Sequence, residues 1–340
     1  MLKTGLIHLI NVSINSVELD ESQFDTYTEE NWTTLFVVAR NNGVLPIIID
    51  SLNKNIIKKI PKKLIHSAVS YVVNVENVFQ KQVSVVTTLK SILSEVDIHT
   101  IILKGITIAD SYPIHDHREC GDIDVYLMGK YKEGNDYLVK KGINVDMFND
   151  KHSHILINGV NIDNHYSLFY LGNDNNKRLN DELINLLNET VSLSTSAPPP
   201  TFHLLFMLKH TYDHFMREGI GLRHIIDFVC YIKKYSDGIN WDYVYKVVSK
   251  YKLLGFYNMI LNVLNQEFGV CIKNYTYTVG GEYYTMFINS ILYEKRPLMQ
   301  SKNIIKQKMI TLSYLYSSRW KYRCFENKGF VELLLSKITK

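Results

Sequence analysis

Cysteine is scarce: Cys120, Cys230, Cys271 and Cys324 stand far apart, with no C-x-x-C pair among them. That spacing supports neither a disulfide framework nor a thiolate zinc site, and it fits a reducing compartment. Long apolar runs are missing too. Stretches such as Val44 to Ile49 and Thr100 to Leu103 fall far short of the roughly 18 apolar residues of a spanning helix. The start of the chain, with His8, Asn11, Ser13 and Asn15 interrupting Leu6, Ile7 and Ile10, is too broken for a secretory leader. The expectation is a cytoplasmic protein without a membrane partner. Nor is there an excess of one charge: 38 Lys and Arg face 34 Asp and Glu, a net +4. A nucleic-acid footprint, if present, has to be local. What remains, 46% hydrophobic and 21% charged residues in a chain of 340, is the balance of a globular protein.

Three segments separate by pattern. From Glu29 to Ile98 apolar residues recur at helical spacing, as in Trp32, Leu35, Phe36 and Ala39, then Leu64, Ala68, Tyr71, Val72 and Val75. Thr28 before Glu29 and Glu30 is a suitable cap, because its hydroxyl can accept a free N–H and the acids suit the positive helix end. At Thr100 the period changes. Thr100 to Leu103 reads as a short strand, Lys104-Gly105 as its junction with a helix running to Tyr112, and Asp122 to Leu127 as a half-buried strand with Ile123, Val125 and Leu127 on one face. A helix over Tyr131 to Lys141 closed by Gly142 precedes three β-like runs at Val145 to Phe148, Ile155 to Ile157 and Val160 to His165. Pro198, Pro199 and Pro200 then mark a boundary, after which helical spacing returns. The boundaries expected are an N-terminal helical region 1–98, an α/β core 99–196 and a C-terminal helical region 197–340.

The chemistry concentrates in the core. Asp122 and Asp124 fall one period apart on the polar face of a strand, where their repulsion calls for a cation or a shared proton. Magnesium, a hard ion that takes oxygen ligands and is completed by phosphates, is the natural guest. Asp163 lies on a later strand with His165 on the same face. Upstream, Lys104-Gly105 offers a point charge and a glycine at a helix mouth for an anion, although a glycine there can equally serve a tight turn. His210 and His214, at i and i+4, could take zinc, but Thr211 stands where a zinc protease has Glu, so a packed histidine pair is the simpler reading. His115, Asp116 and His117 border the aspartate strand, and His152 and His154 share one strand face. Near the end, Ser318 to Arg323 interleaves cations with aromatics after Lys302, Lys306 and Lys308. Such a mix can bind RNA, though a solvated helix face with aromatics turned inward is the simpler reading.

Leu103-Lys104-Gly105, Tyr112, Arg118, Gly121-Asp122-Ile123-Asp124, Gly142 and Asp163-Asn164-His165, in that order, resemble the uncharacterised nucleotidyltransferase family of the polymerase-β-like superfamily. The resemblance extends from Trp32 through the core to Ile232, and the final hundred residues resemble nothing recognisable. It implies an α+β fold: a small polymerase-β-like nucleotidyltransferase α/β palm flanked by N-terminal and C-terminal helical regions. It further implies transfer of a nucleoside monophosphate from an NTP to a hydroxyl-bearing acceptor, with loss of pyrophosphate. In that scheme Asp122, Asp124 and Asp163 hold two Mg²⁺ ions, with Mn²⁺ as the substitute, about 3.5–4 Å apart. Asp163 also assists deprotonation of the acceptor. Lys104 and Gly105 cradle the triphosphate, and Arg118 pairs with phosphate or braces the aspartates. His165, His210 and Arg223 belong with the nucleotide side, together with His214 and Asp227, though Arg223 and Asp227 could simply pair with each other at i, i+4. Two departures stand out: Gly105-Ile106 replaces the superfamily's Gly-Ser or Gly-Gly, and Asp163 replaces a frequent Glu. The alternative is a silent nucleotide-binding scaffold on the same fold. The acceptor, whether small molecule, protein or tRNA, is not written in these residues, and RNA is the less favoured partner.

Overall fold

In the computed structural model the residues described are 2–146, 152–192, 194–272, 281–293, 304–330 and 332, without the side chains of 304–308 and 311. Five helices come first: α1 (Leu2–Asn15), α2 (Glu29–Asn41), α3 (Leu45–Asp50), α4 (Lys54–Lys59) and the 33-residue α5 (Lys62–Ser94). Thr28 caps α2 as expected, its hydroxyl accepting from the Asn31 N–H while the Asn31 side chain takes the Thr28 N–H. Trp32, Leu35, Phe36 and Ala39 form the buried stripe of α2. Along α5, Val72, Val75, Phe79, Val86, Leu89 and Leu93 do the same at steps of three, four or seven.

The core follows as β1 (Ile101–Ile102), α6 (Ile106–Ala109), β2 (Ile123–Tyr126), α7 (Tyr131–Lys140), β3 (Asn144–Asp146), β4 (His152–Ile157) and β5 (Val160–His165). The sheet order is β1-β2-β5-β4-β3, with β2 and β5 parallel and the other neighbours antiparallel. Asn158 and Gly159, both at positive φ, make the two-residue turn between β4 and β5 and so pin their register. Of the expected run Val145 to Phe148, residues 147 and 148 lie outside the described residues.

Helices resume as α8 (Asp174–Thr190), α9 (Pro200–Arg217), α10 (Leu222–Tyr235), α11 (Trp241–Lys250), α12 (Leu254–Phe268), α13 (Gly281–Tyr293), α14 (Ile304–Ser317) and α15 (Arg319–Glu326). Pro200 opens α9, where its missing N–H has no cost. The architecture is α+β, a five-stranded mixed sheet flanked by helices from both ends of the chain. No helix among the described residues is long and apolar enough to cross a membrane.

Two expectations need correction. The segment after Gly105 is a single turn of helix, Ile106–Ala109, because Gly105, Ser111 and Pro113 bound it closely. And β2 is buried on both faces. Its Ile123 and Val125 join Leu89 and Leu93 of α5 and Leu138 of α7 in one apolar core, whereas Tyr126 reaches the second, larger core with the N- and C-terminal helices. Asp124 therefore sits between layers and not on a solvated face.

Candidate active site

The register of β2 against β5 sets Asp124 directly beside Asp163, and Val125 beside Asn164. Side chains alternate along each strand, so Asp124, Asp163 and His165 share the face away from the α5 and α7 core. On the far side of β5, antiparallel β4 places His154 opposite Asp163 and His152 opposite His165. Asp122 lies just before β2 with half of its side chain exposed, whereas Asp124 is only 2% exposed. The buried Gln82 of α5 anchors this entry, donating to the Gly121 carbonyl at 2.7 Å.

Lys104 is the near cation. Leu103 N–H bonds to the Asp124 carbonyl at 2.8 Å, which fixes the end of β1 against β2. Gly105 then turns at φ +75°, where a side chain would be strained, and the chain folds back over Asp122. Lys104 Nζ arrives 3.0 Å from Asp124 Oδ2, 3.5 Å from Asp122 Oδ1 and 3.2 Å from His210 Nε2. Burial would lower the Lys104 pKa, but Asp124 and Asp122 outweigh it and raise the ammonium above its ordinary value. For Asp124 the same contest ends the other way. Burial opposes ionisation, yet Lys104 and His165 together hold the carboxyl well below the usual range.

Three carboxylates against one lysine leave a surplus of negative charge. His165 Nε2 lies 2.8 Å from Asp124 Oδ1, and its Nδ1 faces the Ser167 carbonyl at 3.2 Å. Asp124 Oδ2, also buried, faces the Lys104 ammonium at 3.0 Å. A buried carboxylate beside a second carboxylate in register suits a hard cation. Asp124, Asp163 and His165 bring one ligand atom each to within 4.8 Å of one another, so the donor set fits a divalent ion.

The neighbouring cavity lies between the core and the C-terminal helices, bounded by Lys104, His210, Thr211, Arg223, His224 and Asp227. Arg118 reaches its wall with its guanidinium turned to Asp227. Its Nε and Nη2 bond both oxygens of Asp227 at 2.7 and 2.8 Å, and Tyr112 donates to the same carboxylate at 2.6 Å. Burial opposes ionisation of Asp227, but Arg118 outweighs it and holds the carboxyl low. Asp227 thus pairs with Arg118 and not with Arg223. Arg223 Nη1 donates to the Glu119 carbonyl at 2.6 Å, while its Nε is buried with no hydrogen bond.

The structure brings together Lys104, Asp122, Asp124, Asp163, His165 and His210, and it places Gly105 at the turn between them. Arg118 lines the same cavity but is ion-paired with Asp227. The helix mouth expected at Gly105 is one turn of α6, too short for an appreciable dipole, so an anion there depends on Lys104. His210 and His214 have rings 4.4 Å apart, but His214 pairs with Glu218 and His210 with Lys104. The groups able to hold a metal among the described residues lie on the sheet and not at this pair. His115 is exposed; His117 is clamped between Asp50 and Glu76. In the last helix Lys321 and Tyr322 are buried, with Lys321 Nζ 4.5 Å from the Phe215 ring centre, and Arg319 stacks on Tyr316. Lys321 and Tyr322 of that helix pack inward, while Arg319 and Arg323 are exposed. Lys302 and the side chains of Lys306 and Lys308 lie outside the described residues. His152 and His154, set on one strand face by the sequence without an assigned role, meet Asp163: the first contacts Oδ2 at 3.3 Å and the second Oδ1 at 2.7 Å. Their i, i+2 spacing was visible, but the register that sets them across from Asp163 was not.

Comparison with known families returns a match over residues 28–269 to one described as an uncharacterised nucleotidyltransferase. The match runs from the cap of α2 to the end of α12 and spans every site residue above, leaving α13 to α15 beyond it. No curated protein and no solved structure matches the chain.

Proposed function

The chain belongs to this uncharacterised nucleotidyltransferase family, and from that premise we propose that it moves a nucleoside monophosphate from an NTP to a hydroxyl-bearing acceptor in a divalent-metal-dependent reaction, releasing pyrophosphate. The observation that carries the reading is the in-register pair Asp124 and Asp163, with Asp122 at the mouth and Asp124 buried against the Lys104 ammonium. Asp122, Asp124 and Asp163 would hold Mg²⁺ or Mn²⁺, and the bound ion would screen the charge of the phosphates and acidify the acceptor hydroxyl. The chain's own groups do the rest. His165, oriented by the Ser167 carbonyl, fixes the Asp124 carboxylate from the side away from Lys104. Lys104 Nζ, beside His210, neutralises Asp122 and Asp124 before substrate arrives and is placed to turn to phosphate oxygens afterwards. Arg223 supplies a second cation on the cavity wall. Asp163 accepts the acceptor's proton at a carboxylate oxygen. Arg118 with Asp227 clamps α10 to the loop before β2 and keeps the cavity's two walls in register.

One observation favours the silent scaffold instead: Lys104 already neutralises the aspartates, so the site has an internal counter-ion. A single experiment separates the two. Thermal-shift and calorimetric titrations of the four NTPs, with and without Mg²⁺, are run on wild type and on Asp124→Asn. Metal-dependent binding that Asp124→Asn abolishes, followed by pyrophosphate release with a suitable small-molecule, protein or tRNA acceptor, supports transfer. Equal NTP binding without a divalent ion, or in the variant, overturns it.

A further inference from the structure

The antiparallel pairing of β4 with β5 places two imidazoles and a carboxylate where a second ion can sit. His154 lies opposite Asp163 in the ladder, and His152 follows two residues earlier on the same face. Their positions are therefore set by backbone hydrogen bonds and by the Asn158-Gly159 turn, not by loops. The two rings pack edge to face with centres 4.8 Å apart. Each meets a different oxygen of Asp163: His154 Nδ1 at 2.7 Å from Oδ1 and His152 Nε2 at 3.3 Å from Oδ2. All three ligand atoms lie within 4.8 Å of one another. A tetrahedral ion with bonds of about 2.0–2.2 Å needs ligand atoms about 3.3 Å apart, so side-chain adjustments without backbone movement suffice.

We propose that His152, His154 and Asp163 form a cation site for a nitrogen-preferring first-row divalent ion of the zinc class, distinct from the oxygen site at Asp122 and Asp124. The chemistry of the donors makes the selection. Imidazole suits zinc and its neighbours, whereas Mg²⁺ takes oxygen and sheds water reluctantly. Three protein ligands leave a coordination position open, as in zinc sites that bind a water or substrate oxygen. His154 is half exposed and gives the ion a way in, while His152 and Asp163 are each about 14% exposed and hold it partly out of solvent. Asp163 is common to both sites. An ion held here would tie the third carboxylate, and so the acceptor side of the reaction proposed above, to a metal other than the one that meets the triphosphate. The site itself is read from side chains alone, and the role for the ion rests on the transferase reading.

The test needs no nucleotide and no acceptor. Protein freed of metal with a chelator is titrated with Co²⁺, whose visible d–d absorption reports nitrogen and oxygen ligation, and the bound Co²⁺ is then challenged with Zn²⁺ or Mg²⁺. The expected result is one Co²⁺ with visible bands, displaced by stoichiometric Zn²⁺ and retained in a large excess of Mg²⁺. His154→Ala and the polar His154→Asn should both weaken Zn²⁺ at least about tenfold, with far-UV circular dichroism unchanged. His115→Ala, an exposed histidine away from the sheet, should bind as wild type. Displacement by Mg²⁺ as readily as by Zn²⁺, or a spectrum unaltered in the two His154 variants, overturns the proposal. Asp124→Asn should retain the Co²⁺ bands, so a protein that fails to bind NTP can still pass this test, and the reverse.

Discussion

The pair Arg118–Asp227 gives the sharpest prediction, because its two readings differ in what they would cost. Both side chains are under 9% exposed, the guanidinium meets the carboxylate through two bonds of 2.7 and 2.8 Å, and Tyr112 adds a third of 2.6 Å. Asp227→Leu would leave a buried guanidinium without its counter-ion, a change worth about 3–5 kcal/mol. At about 2.1 cal/mol/K of unfolding entropy per residue, a chain of 340 residues has roughly 0.7 kcal/mol/K, so the midpoint should fall by about 4–7 °C. The triple change Tyr112→Phe, Arg118→Met and Asp227→Leu removes every group of the network and should be less destabilised than Asp227→Leu alone. Urea and thermal unfolding of the three proteins measure this directly. A loss under about 1 kcal/mol for Asp227→Leu, the value of an exposed pair, would refute the brace and return Arg118 to the phosphate side. So would a triple variant no more stable than the single one.

Three further outcomes follow from the same geometry. Hydrogen bonding to Asp50, and to Glu76 against the opposing effect of burial, raises His117 from 6.5 to about 9; its contribution to stability is complete below pH 6.5 and is lost as pH rises through 9, so urea midpoints at pH 6 and pH 9.5 should converge in His117→Gln. Burial lowers His203 and His224 to about 3; the unfolded chain takes up protons first, so stability should fall as pH drops below 6.5 toward 3, and less steeply in His203→Gln. Gly105→Ala forces a side chain onto φ +75°, a strain of about 1–3 kcal/mol, and by shifting Lys104 it should weaken NTP binding in the calorimetric titration more than it lowers the thermal midpoint of the free protein.

The helices on either side of the core were legible because their signals are local. A Thr cap, acidic first turns, apolar stripes and a proline triplet announce themselves within a few residues, and α2, α5, α9 and α10 lie where the spacing put them. The strands were legible as segments, and alternation put Asp163 and His165 on one face of their strand, but the pairing that sets Asp124 beside Asp163 came from the β2–β5 register. Two things were not. The burial of Asp124 needs helices packed on both faces of β2, and a strand's own alternation says nothing about what covers its polar side. The partner of Arg118 lies 109 positions away on α10; Arg223, four residues from Asp227, was the local choice, and the fold gave that carboxylate to the more distant cation. His152 and His154 show the same limit, since their meaning depends on the β4–β5 register.

The placement of Lys104 carries the last step. A buried carboxylate must be neutralised in every state of the protein, whether or not substrate is present, and a cluster of three would otherwise repel itself apart in the free form. Lys104 serves that purpose from the end of β1, on a side chain long enough to move without the backbone. In the reaction proposed above, a divalent ion entering between Asp122 and Asp124 would make the ammonium redundant there, and the free charge would then face the cavity that Arg223 and His210 also line. On that proposal the counter-ion of the free protein would be the group placed to receive a phosphate once a metal took its position. The Gly105 turn would then serve that exchange by fixing where Lys104 leaves the backbone. Lys104→Met should accordingly gain more stability from added Mg²⁺ than wild type does, because the variant keeps only His165 beside Asp124 until an ion binds; equal gains in the two proteins would show that lysine and metal do not share the site.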